Sequence, residues 1–301
     1  MKKSLFTFIG VVILVSCQSP TQTNGRVVTT LFPQYSIARF LLNDIAEVDF
    51  LLESGQASHD FEPTPSDVVS LNQASVVFFS SEQLEPWIHN IENTARGQLV
   101  DLSYDITLLE GHDHEEENAN EDDHDHGEFD PHYWIDPANA LVMLSTISSK
   151  LIEVFPEEEP LLISRTNVLE EAFGEVVDMY ESLLSTEEEF DVVFAGHNVF
   201  GYLETYGIHV NTPYEGFTDD VLPTAESITD FITLMETLET TILYVTSTDN
   251  QAVIDALVNA NESIETEELF SMEAVPSPLD IANITYQEML QLNYEALAKS
   301  L

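Results

Sequence analysis

Short apolar runs alternate with segments of helical spacing along two stretches of the chain. In the first stretch, the runs predict strands at 27–31, 48–52, 76–80 and 98–102, separated by helices at 34–42, 65–73 and 83–93. In the second, strands are predicted at 191–195, 208–212, 241–246 and 267–270, with helices at 199–206, 225–238, 251–260 and 284–298. Apolar runs placed between helices are typical of parallel sheets covered on both faces.

Two further helices are predicted between these stretches, at 138–154 and 157–184. Apolar positions of the longer one, such as Leu162, Leu169, Phe173 and Val176, recur with helical spacing. The predicted fold class is therefore α/β, with two lobes of parallel sheets flanked by helices and one long connecting helix. The predicted organisation is an N-terminal lobe at 26–156, a connecting helix at 157–186 and a C-terminal lobe at 187–301.

The first residues have the pattern of a targeting segment. Lys2 and Lys3 precede an apolar run at 5–15, which is too short to span a membrane but suits a signal-peptide core. The run ends at Cys17 in a sequence that resembles a bacterial lipobox, which predicts a signal peptide at 1–16 and a lipid-anchored tether at 17–25. The alternative is an ordinary signal peptide with an incidental cysteine. Either way, the protein is expected outside the cytoplasm, and under the first interpretation it is a membrane-anchored lipoprotein.

Charge and cysteine content narrow the function classes. Asp and Glu total 55 and Lys and Arg total 8, so the formal net charge is −47. Nucleic acid is excluded as a natural partner because phosphate binding requires clustered basic residues. Cationic ligands are favoured, although a solvated acidic surface adapted to a salty habitat would have the same composition. Because Cys17 is the only cysteine, the chain has no internal disulfide and no cysteine-based metal cluster.

Three of the nine histidines come after predicted strands. His59 follows the second strand, His132 lies beyond the fourth, and His197 follows the first strand of the second lobe. Ligands of open parallel sheets bind beyond the carboxyl ends of the strands, so these side chains are expected to converge in a cleft between the lobes. Neutral imidazole is a good zinc ligand. A single histidine near a strand end is more often structural, and His89 and His209 are interpreted in that way.

Three segments extend this hypothesis to a family. The sequence resembles zinc-specific substrate-binding lipoproteins of bacterial ABC importers in three places. They are His-Asp-Phe-Glu-Pro-Thr-Pro-Ser-Asp at 59–67, Asp-Pro-His-Tyr-Trp-Ile-Asp-Pro at 130–137, and His197 with Phe-Gly-Tyr at 200–202. The resemblance covers 27–301. It implies that His59, His132 and His197 bind Zn²⁺ directly, and that the protein, expected to be a monomer, delivers zinc to a membrane permease.

The identity of the metal and of its fourth ligand depends on where the sequence agrees with its relatives and where it differs from them. Relatives with Glu in the third position prefer manganese, so His197 favours zinc, in agreement with the preference of manganese for oxygen ligands. Many relatives place an Asp shortly after the last strand, where this chain has Met272 followed by Glu273. Water and Glu273 both remain candidates for the fourth position, with water preferred. Thr246 stands where the family has another acidic residue.

The segment 111–128 is almost devoid of apolar residues and contains His112, His114, His124 and His126. Its composition predicts a mobile loop. Two His-x-His pairs among carboxylates predict a low-affinity metal-binding loop, and the resemblance implies that it gathers zinc or senses its abundance. The alternative is a solvated acidic spacer in which the histidines are incidental.

Three further functions compete with zinc capture. A zinc hydrolase would need an activated water and a general base, but the chain has no His-Glu-x-x-His element, and Glu62 is the nearest acid. The second possibility is an adhesion lipoprotein, and the third is a manganese-binding importer component. Zinc capture is the preferred prediction, and the protein is not expected to be an enzyme.

Overall fold

The structure is a computed structural model that describes residues 25–52, 58–59, 61–110, 129–183, 190–214, 216–217, 221–261 and 263–300. The predicted signal peptide, Cys17 with most of its tether, and His112, His114, His124 and His126 lie outside the described residues. The expectations for those segments therefore stay predictions.

Eight strands and seven α-helices make up the described part of the chain. The strands are β1 (Val27–Thr29), β2 (Val48–Phe50), β3 (Val76–Phe79), β4 (Gln98–Asp101), β5 (Phe190–Val193), β6 (Ile208–Asn211), β7 (Ile242–Val245) and β8 (Glu265–Glu268). The helices are α1 (Phe32–Leu42), α2 (Pro65–Gln73), α3 (Pro137–Val154), α4 (Glu159–Leu183), α5 (Ala225–Thr237), α6 (Gln251–Ala260) and α7 (Tyr286–Leu297).

Both halves of the chain build a parallel sheet with the same strand order. The N-terminal sheet has the order β2-β1-β3-β4. In the C-terminal half, β5 pairs with β6 and β7 with β8, and a parallel bridge between Phe194 and Tyr244 joins the two pairs. The resulting order, β6-β5-β7-β8, repeats that of the N-terminal sheet. The predicted α/β class with helix-flanked parallel sheets is confirmed.

The long connecting helix α4 forms because its apolar positions lie on one stripe. Leu162, Leu169, Phe173 and Val176 are buried along that stripe. The helix packs mainly against α3 and also against α7 and α1. No single described helix is long and apolar enough to cross a membrane, and α3 together with the segment Pro156–Leu183 reaches the required length only with a bend of 115°.

Two predicted α-helices are 3-10 helices in the structure, one of them much shorter than predicted, and one strand is displaced. The segments 83–93 and 199–206 contain only the 3-10 helices Pro86–Asn90 and Gly201–Tyr206. Pro86 cannot donate a backbone hydrogen bond to the preceding turn, and Gly201 has a low helix propensity. Strand β8 precedes the apolar residues that predicted it at 267–270, because its own side chains are mainly acidic and exposed and leave no apolar pattern.

One hydrophobic core connects the two sheets. It includes residues from β1, β3, α1, α3, α4, α7 and the C-terminal strands. Hydrogen bonds also cross between the halves: the Tyr206 hydroxyl donates to Asp136 Oδ1 over 2.6 Å, and the Tyr286 hydroxyl donates to the Trp134 carbonyl. Because packed cores are not continuously deformable, this arrangement restricts movement between the sheets.

Candidate metal centre

The structure brings His59, His132 and His197 together. His59 lies beyond β2, His132 beyond β4 and His197 beyond β5, so all three come from the carboxyl ends of strands. The Nε2 atoms of His59 and His132 are 3.2 Å apart. Centroids of the three rings are separated by 5.3 to 5.4 Å. The predicted convergence of histidines from both halves of the chain is therefore present in the geometry.

Glu273 completes the group. Its Oε1 atom lies 4.0 Å from His132 Nε2, and one potential ligand atom from each of the four residues lies within 4.8 Å of the others. Met272, the neighbour that stands near the family's expected ligand position, is fully buried in the hydrophobic core. Of the two candidates for the fourth position, the geometry favours Glu273 over water.

These separations suit a four-coordinate zinc ion. Zinc bonds to imidazole nitrogen and carboxylate oxygen are about 2.0–2.2 Å long, which places tetrahedral ligand atoms about 3.3–3.6 Å apart. The 3.2 Å between the imidazole nitrogens of His59 and His132 is close to that value, and the 4.0 Å to Glu273 requires only a small inward movement. The donor set of three nitrogens and one oxygen is also one that zinc accepts.

Burial keeps the imidazoles of His132 and His197 neutral. His132 is completely buried, and burial lowers its pKa to about 3. Burial is also the main reason that the pKa of His197 is lowered to about 2, with His132 and His59 adding to the effect. Within the part of the chain that the structure describes, His197 Nε2 is buried and has no hydrogen-bond partner. A neutral imidazole with an unsatisfied buried nitrogen is ready to bind a cation.

Asp130 sets the orientation of His132. Its Oδ1 atom accepts hydrogen bonds from His132 Nδ1 over 2.8 Å and from the His132 backbone N–H over 2.9 Å. A carboxylate acceptor at this position favours the tautomer that carries its proton on Nδ1, which leaves the lone pair of Nε2 to face the other clustered side chains. Burial raises the pKa of Asp130 to about 7. The sequence motif contains this residue, but its role becomes visible only in the fold.

The bend that carries His197 after β5 packs against the turn that follows β7. The Asp249 carboxylate accepts hydrogen bonds from the backbone N–H of Thr246, over 2.6 Å, and from its hydroxyl, over 2.7 Å. A Cβ atom on Gly196 would lie 2.2 Å from the same carboxylate, so a larger residue immediately before His197 would displace the Asp249 side chain. The sequence does not single out Asp249, because Thr246 and not Asp249 stands at the family's acidic position.

The remaining described histidines lie outside this group. His89 is exposed and close to Glu82 and Glu92, and its pKa is raised mainly by the hydrogen bond with Glu92. His209 is exposed in β6. Neither side chain belongs to the four-residue cluster.

Comparison with known families identifies the family of this chain. Residues 27–300 match the family described as zinc-uptake complex component A, periplasmic. The chain belongs to this family. The match covers both sheets, the connecting helix and all four clustered side chains, and it confirms the family that the motifs at 59–67 and 130–137 resemble.

Individual relatives agree with that assignment. The chain is 26% identical to the high-affinity zinc uptake system protein ZnuA of Bacillus subtilis, with 99% of this chain and 97% of that protein covered. It is 24% identical to the zinc-binding lipoprotein AdcA of Streptococcus pneumoniae, which is longer, so that 95% of this chain matches only 58% of that protein.

Solved structures share the fold. The Zn(II)-bound ZnuA-like domain of Streptococcus pneumoniae AdcA superposes with a TM-score of 0.75 at 22% identity, covering 91% of this chain and 98% of that domain. The laminin-binding protein Lmb of Streptococcus agalactiae, described as having adhesin and metal-transporting activity, gives a TM-score of 0.78 at 20% identity, covering 92% of this chain and 99% of that protein. The two-sheet architecture with its long helix is therefore that of the family.

Proposed function

We propose that this protein captures Zn²⁺ outside the cytoplasm with His59, His132, His197 and Glu273, and delivers it to the membrane permease of an ABC-type importer. The observation that carries the proposal is the convergence of three imidazoles and one carboxylate at the carboxyl ends of both sheets. Membership in a family of zinc-uptake components gives the same function. Zinc is the cargo here and is released intact.

The donor atoms support zinc over manganese. Three of the four are imidazole nitrogens, whereas manganese prefers a shell of oxygen ligands. Burial already keeps His132 and His197 in the neutral form that a metal requires, so binding does not have to displace protons from these two rings near neutral pH.

The same geometry supports capture rather than catalysis. Catalytic zinc sites keep one position open for water or substrate, whereas closed sites use four protein ligands. Glu273 supplies the fourth protein ligand here, which leaves no position for an activated water. Glu62, the acid considered above as a general base for a hydrolase, is not one of the clustered residues.

Several finer features belong to the same proposal. Lipidation of Cys17 would hold the protein at the membrane. The segments 26–156 and 187–301 would act as two lobes joined by a connecting helix. The protein would work as a monomer. His112, His114, His124 and His126 would gather zinc at low affinity. Adhesion, an activity stated for the structurally similar Lmb, stays an alternative that no described surface of this chain favours.

Zinc titration of the purified protein tests the site. His132→Ala removes the most buried imidazole and should weaken zinc binding by more than about 100-fold, beyond the loss typical of residues that only support a ligand. His209→Ala is the matched control, because this histidine is exposed on β6 and belongs to neither group of residues that could hold a metal ion. It should leave the affinity of the tight site unchanged.

Competition between Zn²⁺ and Mn²⁺ on the same protein tests the choice of metal. Zinc should displace manganese at equal concentrations. If His132→Ala binds zinc as tightly as the parent protein, the ligand assignment is wrong, and if manganese displaces zinc, the cargo assignment is wrong.

A further inference from the structure

The segment Phe270–Glu273, which follows β8, carries the fourth ligand in an unusual backbone conformation. Met272 has a φ of 61°, in the left-handed region that a residue with a side chain seldom adopts. Left-handed residues other than glycine persist only where their surroundings hold them. The conformation of this segment is therefore imposed by its contacts.

Asn293 holds the beginning of the segment. This residue lies on α7, is 2% exposed, and bonds both polar groups of Phe270. Its Oδ1 accepts from the Phe270 N–H over 2.7 Å, and its Nδ2 donates to the Phe270 carbonyl over 2.9 Å. The side chain thus replaces the strand partner that Phe270 lacks once β8 has ended.

Residues of the N-terminal half hold the rest of the segment. Trp134 Nε1 donates to the Ser271 carbonyl over 2.8 Å, and the Phe32 N–H donates to the Glu273 carbonyl over 2.9 Å. The backbone N–H of Ser58, next to His59, donates to Glu273 Oε2 over 3.3 Å. The Trp134 ring also packs edge-on against His132, with centroids 5.4 Å apart.

We propose that Asn293 and Trp134 are positioning residues that direct the Glu273 carboxylate at the metal, from the C-terminal and N-terminal halves respectively. Asn293 fixes where the segment leaves β8, and Trp134 fixes its distance from His132. Neither residue binds the ion. The inference rests on the proposed function, since it concerns how the fourth ligand of that site is held.

A double-mutant cycle tests this role. Asn293→Ala should weaken zinc binding about 10- to 100-fold, the range found for residues that support a metal ligand. In the Glu273→Gln background, the same substitution should cost less than about 3-fold, because the carboxylate that it positions is already gone. Gln291→Ala, on the same helix α7, is the matched control and should leave zinc affinity unchanged in both backgrounds.

Co²⁺ provides a readout that loss of stability alone would not change. The visible spectrum of the Co²⁺-loaded Asn293→Ala protein should shift from that of the parent towards that of Glu273→Gln. Trp134→Phe keeps an aromatic ring but removes the donor to the Ser271 carbonyl. Combined with Glu273→Gln, it should give the same non-additive loss of zinc affinity even if Asn293→Ala does not fold. Asn293→Asp keeps the acceptor for the Phe270 N–H and should lose less affinity than Asn293→Ala.

The outcomes separate this inference from the proposed function. Equal losses in the two Glu273 backgrounds, or an unchanged Co²⁺ spectrum in the variants, would overturn the positioning role while leaving the zinc site intact. Failure of the parent protein to bind zinc tightly would instead overturn the proposed function itself.

Discussion

At the scale of single residues, burial controls the charge of polar groups both at the metal centre and away from it. Glu85 shows the effect outside the centre. It is 2% exposed beyond the end of β3, where its carboxylate accepts a hydrogen bond from the Ser80 N–H, and Ser80 in turn bonds Tyr133. Burial raises the pKa of Glu85 from an ordinary value of 4.5 to about 7.

This shift predicts a pH dependence of folding. Because the pKa of Glu85 is higher in the folded protein, its contribution to stability is full below pH 4.5 and is lost as the pH rises through about 7. Glu85→Gln cannot titrate. The free energy of unfolding of the parent, minus that of Glu85→Gln, should therefore fall by about 3 kcal/mol between pH 4.5 and about 8.

Urea unfolding at several pH values, without metal, measures this difference. Gln83→Ala is the control, since Gln83 is an exposed neighbour that does not titrate. Its difference from the parent should stay nearly constant with pH. A constant difference for Glu85→Gln as well would show that Glu85 is not protonated in the folded protein near neutral pH.

At the scale of elements, glycines in the binding loop and in the long helix α4 differ in how much space surrounds them. Gly196 lies in the turn between β5 and His197, where an added Cβ atom would meet the Asp249 carboxylate at 2.2 Å and the Phe194 ring at 2.8 Å. Gly174 lies inside α4, and an added Cβ atom there meets nothing within 4 Å.

The same substitution should therefore have opposite effects at the two positions. Gly196→Ala should displace the turn, reduce the free energy of unfolding by about 1–3 kcal/mol and weaken zinc binding. Gly174→Ala should increase the free energy of unfolding by about 0.5–1 kcal/mol, because alanine favours the helix, and should leave zinc binding unchanged. Chemical unfolding and zinc titration of both variants test this, and tight zinc binding by Gly196→Ala would contradict it.

The helices and strands also show which parts of the fold could be predicted from the sequence. Strands such as β3 were predicted almost to the residue, because buried parallel strands are continuous apolar runs. Strand β8 was misplaced because an exposed acidic edge strand has no such run. The helix predicted at 83–93 was too long, since Pro86 and the turn around Ser80 and Glu85 shorten it.

Part of the candidate site could also be predicted from the sequence, and part could not. His59, His132 and His197 could be selected because each stands in a recognisable place after a strand. Glu273 could not be preferred over water, because the direction of its side chain depends on the left-handed Met272 and on contacts with Asn293 and Trp134. Those contacts join residues far apart in the chain, which a local pattern does not record.

At the scale of the whole molecule, the formal net charge of −47 is the dominant property. Like charges at this density repel one another and reduce the stability of the folded state, while they attract cations towards the site. Ionic strength controls both effects, because the Debye length falls from about 30 Å at 0.01 M salt to about 3 Å at 1 M.

Added KCl should therefore act in opposite directions on folding and on capture. Between 0.01 M and 1 M KCl, the thermal midpoint of the metal-free protein should rise, and the association rate of zinc should fall. Calorimetry and stopped-flow measurements check the two parts, with sucrose of equal osmolality as the control for excluded-solute effects. A midpoint that rises equally in sucrose would show that charge screening is not the cause.

The strand-end loops that form the metal centre are widely separated along the chain. His59 is 73 residues from His132, and Ser58 is 215 residues from the Glu273 that it contacts. A nascent or partly folded chain therefore has no assembled centre, and zinc cannot serve as a template for its early folding steps. Zinc should slow unfolding and leave the folding rate almost unchanged, because non-local contacts of this kind form late. Cargo loading is thus confined to chains that have completed their folding.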